Sequence, residues 1–107
     1  MSVNLLIWKW SSDYDTPAKR RKLKGKFGDV TSTFAKDGDS PAFVEYEIGR
    51  FLDAVNAVYR QAAEERPFVL EEYERCLNFS IPNSARLEVV STIGRIAMAH
   101  GLNASEF

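Results

Sequence analysis

An α+β fold is predicted for this chain: a small, mostly antiparallel sheet of about three strands, two long amphipathic helices packed on one of its faces, and additional short helices. Three observations predict it. The N-terminal stretch is β-prone and apolar, two later stretches repeat apolar residues at spacings of three and four, and a pair of short segments between these two ends in an apolar/polar alternation. At 107 residues the chain fits one domain. A domain of that size removes about two-thirds of its unfolded surface from water and needs no disulfide or metal staple. With 45% apolar and 27% charged residues, the composition is that of a soluble globular protein and argues against disorder.

Residues 3–10 read as the first strand, with Leu5 and Ile7 on one face and Leu6, Trp8 and Trp10 on the other. A strand apolar on both faces is central in its sheet, covered by helices on one side and by something else on the other. Residues 11–15 are polar loop. Thr16 and Pro17 supply an N-cap and a first-turn proline for a short basic helix to about residue 24, ended by Gly25 and Gly28. Asp29 caps a second short helix over residues 30–35, stopped by the turn Lys36, Asp37, Gly38, Asp39.

Ser40 and Pro41 restart a helix predicted to run to about residue 63, with Ile48, Phe51, Leu52, Val55, Tyr59 and Ala62 as its core-facing stripe. Arg66 before Pro67 breaks it. Residues 68–73 and 76–81 then form a hairpin about Glu74 and Arg75, and in its second strand Leu77, Phe79 and Ile81 face one way while Asn78 and Ser80 face the other. Pro82, Asn83 and Ser84 end that strand and cap the last helix. Its predicted core stripe is Leu87, Val90, Ile93 and Ala97, up to Gly101.

Charge is segregated along the chain. Lys19, Arg20, Arg21, Lys22, Lys24 and Lys26 are six of its fourteen basic residues; elsewhere eight basic residues face fifteen acidic ones, so a basic pole sits on a body with seven surplus negative charges. That polarity suggests a charged partner. The apolar run Leu5, Leu6, Ile7, Trp8 is too short for a membrane span and lacks the flanks of a secretory signal, so a cytoplasmic location is expected. A single cysteine, Cys76, excludes an internal disulfide and agrees with a reducing compartment.

No metal, nucleotide or catalytic signature is present, and no cofactor is expected. His100, before Gly101 in the last helical turn, suits a C-terminal capping role; nothing in the spacing joins it to Cys76 as a base to a nucleophile. Glu64, Glu65, Glu71, Glu72 and Glu74 form an acidic cluster that reads as a solvated edge, lacking the spacing of a calcium loop. A hydrolase using those glutamates is the weakest of three functional readings. The basic run beside Trp8 and Trp10 supports another, a small nucleic-acid-binding module in which the tryptophans stack bases. Against it stand the acidic body and the missing glycine-aromatic strand of RNA-recognition folds. The tryptophans serve equally as core residues or as a protein-binding hot spot.

The opening Val3, Asn4, Leu5, Leu6, Ile7, Trp8, Lys9, Trp10 with Tyr14, Asp15, Thr16, Pro17, and the closing Ile93, Gly94, Arg95, Ile96, Ala97 with His100, Gly101, Leu102, resemble small bacterial immunity proteins encoded beside polymorphic toxins. Immunity proteins of contact-dependent growth inhibition are the group most similar. The resemblance touches both ends and roughly the whole length, and such proteins share no catalytic motif. It implies a non-enzymatic cytosolic protein that binds and blocks the C-terminal toxin domain delivered by a neighbouring cell, often a nuclease acting on tRNA or DNA. A nuclease presents a basic cleft to phosphate backbones, so an inhibitor offering carboxylates can occupy it. Candidate contacts are Asp13 and Asp15 after the first strand, Asp37 and Asp39 in the glycine turn and the glutamates of the hairpin, the first two groups being favoured, with Trp10 or Tyr14 as aromatic anchors.

Overall fold

The first strand is buried on both faces, and the rest of the molecule is arranged around it. A computed structural model describes residues 2–14, 16–19, 30–40 and 42–107. Among them β1 (Ser2–Trp8), α1 (Val30–Asp37), α2 (Ile48–Val58), β2 (Val69–Glu72), β3 (Leu77–Pro82), α3 (Arg86–Ala99) and β4 (Asn103–Glu106) follow in that order. The four strands form one antiparallel sheet in the order β2-β3-β1-β4. The fold class is therefore α+β, with four strands where about three were expected.

The pleat of β1 divides the interior in two. Leu5 and Ile7 join Leu77, Phe79 and Ile81 of β3 under α2 and α3, which contribute Phe51, Val55, Val89, Ile93 and Ala97. Both long helices thus cover one face, as the sequence predicts. Leu6 and Trp8 point the other way, into a cluster with Val30 and Phe34 of α1, Ala42, Phe43 and Cys76. The second cover is therefore α1 and the chain just before α2. Each fully buried Leu, Ile, Val or Phe contributes about 1.5–3 kcal/mol, so the two sides of β1 are anchored independently.

Several expectations need correction. Residues 42–47 are not helical: Phe43 forms an isolated bridge with Trp10, Val44 N–H donates to the Lys9 carbonyl at 3.1 Å, and Ser11 N–H donates to Ala42 at 2.7 Å. Those bonds extend the β1 edge and hold Ala42 and Phe43 in the second cluster, so α2 begins only at Ile48. It ends at Val58, and Ala62 is exposed. Pro41 lies outside the described residues.

In α3 the buried stripe is Val89, Ile93 and Ala97, whereas Leu87 is 84% exposed. The helix is phased by a 3-10 turn, Asn83–Ala85, and its N-cap is Ala85 with no side-chain cap bond, not Ser84. Leu87 consequently lies about 140° around the helix from the mean direction of Val89 and Ile93. At the N-terminal side, Lys19 N–H donates to Thr16 Oγ1 at 3.3 Å, the capping bond that Thr16 predicts. The remainder of that basic helix, from residue 20 to about residue 24, its predicted ends Gly25 and Gly28, and the proposed cap Asp29 lie outside the described residues. No helix among the described residues is long and apolar enough to cross a membrane.

Candidate functional site

Three loops meet where β1 leaves the sheet: residues 9–14, the 38–44 segment and the hairpin turn at 73–76. Aromatic packing joins them. The Trp8 ring meets Trp10 edge-on with centroids 4.5 Å apart and lies 5.4 Å from Phe43. Trp8 is 4% exposed, and its indole N–H donates to Ser105 Oγ of β4 at 3.0 Å. Trp10, Tyr14 and Tyr73 are half-buried against this cluster. Phe34 of α1 meets Tyr73 edge-on at 4.9 Å and Phe107 at 5.9 Å. Such pairs add about 0.5–1.5 kcal/mol each beyond burial and fix the rings that remain partly exposed.

Arg75 fastens the corner. Its Nη2 donates to Asp39 Oδ2 at 2.6 Å and to the Ser40 carbonyl at 3.1 Å, its Nε to Asp39 Oδ1 at 3.2 Å, and its Nη1 to the Phe43 carbonyl at 2.9 Å. The guanidinium fork matches the carboxylate with two donors while satisfying two backbone acceptors. The bond to Asp39 is also the main reason that Arg75 is held above its usual pKa. Gly38 adopts φ +72°, and its N–H donates to Phe34 at 2.7 Å, closing α1 with the left-handed residue that glycine favours. Asp37 is exposed at the last position of α1, the helix end where the dipole disfavours an anion.

The predicted site residues are distributed accordingly. Trp10, Asp13 and Tyr14 share one loop, in which Asp13 N–H donates to Ser11 Oγ at 3.2 Å and Tyr14 N–H to the Ser11 carbonyl at 2.9 Å. Asp37 and Asp39 flank Gly38, and the bond from Ser11 to Ala42 ties the segment that follows them to the first loop. Asp13 is exposed, while Asp39 is engaged by Arg75. Asp15, Arg20, Arg21, Lys22, Lys24 and Lys26 lie outside the described residues; Lys19 Nζ donates to the Ser12 carbonyl at 2.9 Å.

The other candidates are separated. Cys76 is buried in the second cluster, and burial, reinforced by the charge of Asp39, pushes its thiol up to about 12. His100 caps α3 through its N–H, and its ring stands edge-on to Phe51, 5.9 Å away, on the opposite face of the sheet. Glu71 accepts from Asn78 Nδ2 at 2.9 Å. Among the described residues no three His, Cys, Asp or Glu side chains converge as a metal site.

The sequence did not single out Arg75 or Tyr73 as parts of this corner. A lone cation among the hairpin glutamates was the available signal for Arg75. Nor did it point to an open cleft of about 740 Å³ lined by Lys9, Glu45, Tyr46, Glu47, Arg50 and His100. Residues 45–47, which the sequence assigned to a helix and the structure does not, form part of its wall. Tyr46 donates its hydroxyl to the Ile7 carbonyl at 2.8 Å, and burial raises its pKa. Glu45 and Glu47 balance Lys9 and Arg50, so the opening selects neither anions nor cations strongly. No protein-family model, curated protein or solved structure matches the chain.

Proposed function

We propose that this chain is an immunity-type protein that binds and neutralises the toxin domain of a contact-dependent growth inhibition or similar polymorphic toxin system in the cytoplasm, and performs no bond-making itself. The reading rests on the resemblance of both chain ends to such proteins and on one structural observation. Half-buried Trp10 and Tyr14 stand on a corner with the exposed carboxylates Asp13 and Asp37, and that corner is braced from within by Arg75.

Partly exposed aromatics held by packing lose little entropy on binding, and carboxylates beside them favour a basic surface, such as the phosphate-binding cleft of a nuclease acting on tRNA or DNA. The acidic surplus outside the basic run would steer such a partner inward over a range of about 10 Å at moderate salt. The competing reading, a nucleic-acid-binding module built on residues 19–26 and the tryptophans, loses one stacking surface because Trp8 is enclosed.

The test is co-expression with the C-terminal domain encoded immediately upstream of this chain's gene. Rescue of growth and co-purification are expected. Trp10→Ala and Asp13→Lys should each weaken the complex about 10-fold or more, the cost of losing an aromatic anchor or reversing an interfacial charge. Failure of both rescue and co-purification rejects the proposal. Tight binding of single-stranded RNA with a steep salt dependence would instead support the nucleic-acid reading.

A further inference from the structure

The outer face of α3 carries the two most exposed large apolar side chains among the described residues, Leu87 at 84% and Met98 at 78%. They are three helical turns apart, and Ser91 and Gly94 lie between them on the same stripe, within about 60° of arc. A Cβ added at Gly94 would meet nothing within 4 Å. The middle of the stripe is therefore flat, with a bulky apolar residue at each end. Glu88 and Arg95 run along one flank, two turns apart, and both are exposed, with Arg95 Nε donating to the Ser91 carbonyl at 3.3 Å.

This pattern is complementary to itself. When two copies of α3 are laid antiparallel about a two-fold axis between Ser91 and Gly94, Leu87 faces the partner's Met98 and Ser91 faces the partner's Gly94. The small residues let the backbones approach closely. Like flanks meet in an antiparallel pair, so Glu88 comes opposite the partner's Arg95, and symmetry repeats the ion pair. A parallel arrangement would instead set this flank against the partner's opposite flank, and Glu88 would not meet Arg95. We propose that α3 is the interface of a homodimer of this chain, formed by antiparallel pairing along Leu87, Ser91, Gly94 and Met98 and registered by Glu88 and Arg95. The inference is independent of the aromatic corner, which lies on the opposite side of the sheet.

One helix face buries less than the roughly 800 Å² per partner of a standard interface, so the dimer is weak and reversible, with Kd on the order of 0.1 mM. Sedimentation equilibrium of the full chain should show mostly monomer at about 10 µM and mostly dimer at about 1 mM. Gly94→Lys has room in the monomer and gains helix propensity, so it should fold normally and weaken association at least 10-fold. Glu88→Arg and Arg95→Glu should each weaken it about 5-fold, and the double reversal should return it to within about 2-fold of the parent. A monomer throughout that range would overturn the proposal, as would undiminished association of Gly94→Lys or a double reversal no better than the single ones. Binding of the monomer to anionic lipid vesicles through Leu87 and Met98 would assign this face to a membrane and overturn it equally.

Discussion

Replacing Arg75 with methionine keeps the aliphatic stem and removes every donor that braces the corner. Two losses follow. The ion pair with Asp39 has excellent geometry, but the two side chains are 30% and 49% exposed, so solvent screening holds its contribution to about 1 kcal/mol. The bonds to the Ser40 and Phe43 carbonyls come from a charged donor to part-buried acceptors and add about 1 kcal/mol each. The expected destabilisation is about 3 kcal/mol. With a urea dependence of about 1.5 kcal/mol/M, the unfolding midpoint falls by about 2 M. Asp39→Asn removes only the charge pairing and leaves both carbonyl bonds, so it should cost about 1 kcal/mol or less. Equilibrium urea unfolding of the two single variants and the double variant, followed by tryptophan fluorescence, measures both numbers. If Arg75→Met costs no more than Asp39→Asn, the carbonyl bonds do not hold the 40–44 segment, and the account of the corner is wrong.

Further outcomes are expected elsewhere in the molecule. The Tyr59 hydroxyl is buried with no hydrogen-bond partner in good geometry, although Thr92 lies near enough to influence its titration; Tyr59→Phe should therefore leave stability unchanged or raise it by up to about 1 kcal/mol, and a loss above that size would mean that the Thr92 bond forms in solution. Cys76, with its thiol pushed up to about 12 by burial, should react with an alkylating reagent only when the structure opens. Because its folded pKa lies above the unfolded value, its contribution to stability is complete below pH 9 and falls between 9 and 12; labelling in native buffer at the rate of the unfolded chain would refute this. Glu106 is held below its usual value of 4.5 by the bond from Arg86, so the stability it contributes is present above that pH and fades as the pH drops through the lowered value. Glu106→Gln should remove that part of the acid sensitivity in thermal melts between pH 5 and 2.

What could be read in the chain depended on where the deciding interaction lay. The two-faced apolar pattern of β1, the alternation in β3 and the Thr16 cap are local, and each appears in the structure as the residues indicate. Strand β4 was not legible: Asn103, Ala104, Ser105 and Glu106 have little β-preference, and they become a strand because β1 offers an open edge and Trp8 bonds Ser105. The same kind of override ended the long helix early, since spacing alone cannot register that Val44 bonds Lys9. At the candidate site the aromatic and acidic residues were visible as types. Their brace was not, because Arg75 and Asp39 are 36 positions apart and only the fold joins them.

The pairing of β1 with β4 also has a kinetic consequence. Asn4 and Phe107 exchange both backbone hydrogen bonds at 2.9 Å, and Trp8 bonds a residue 97 positions away. Closing so large a loop is entropically slow, and a nascent polypeptide cannot do it until residues 103–107 have emerged from the ribosome. One edge of the hydrophobic interior therefore waits bare until β4 has been synthesised, and deleting β4 would leave it bare permanently.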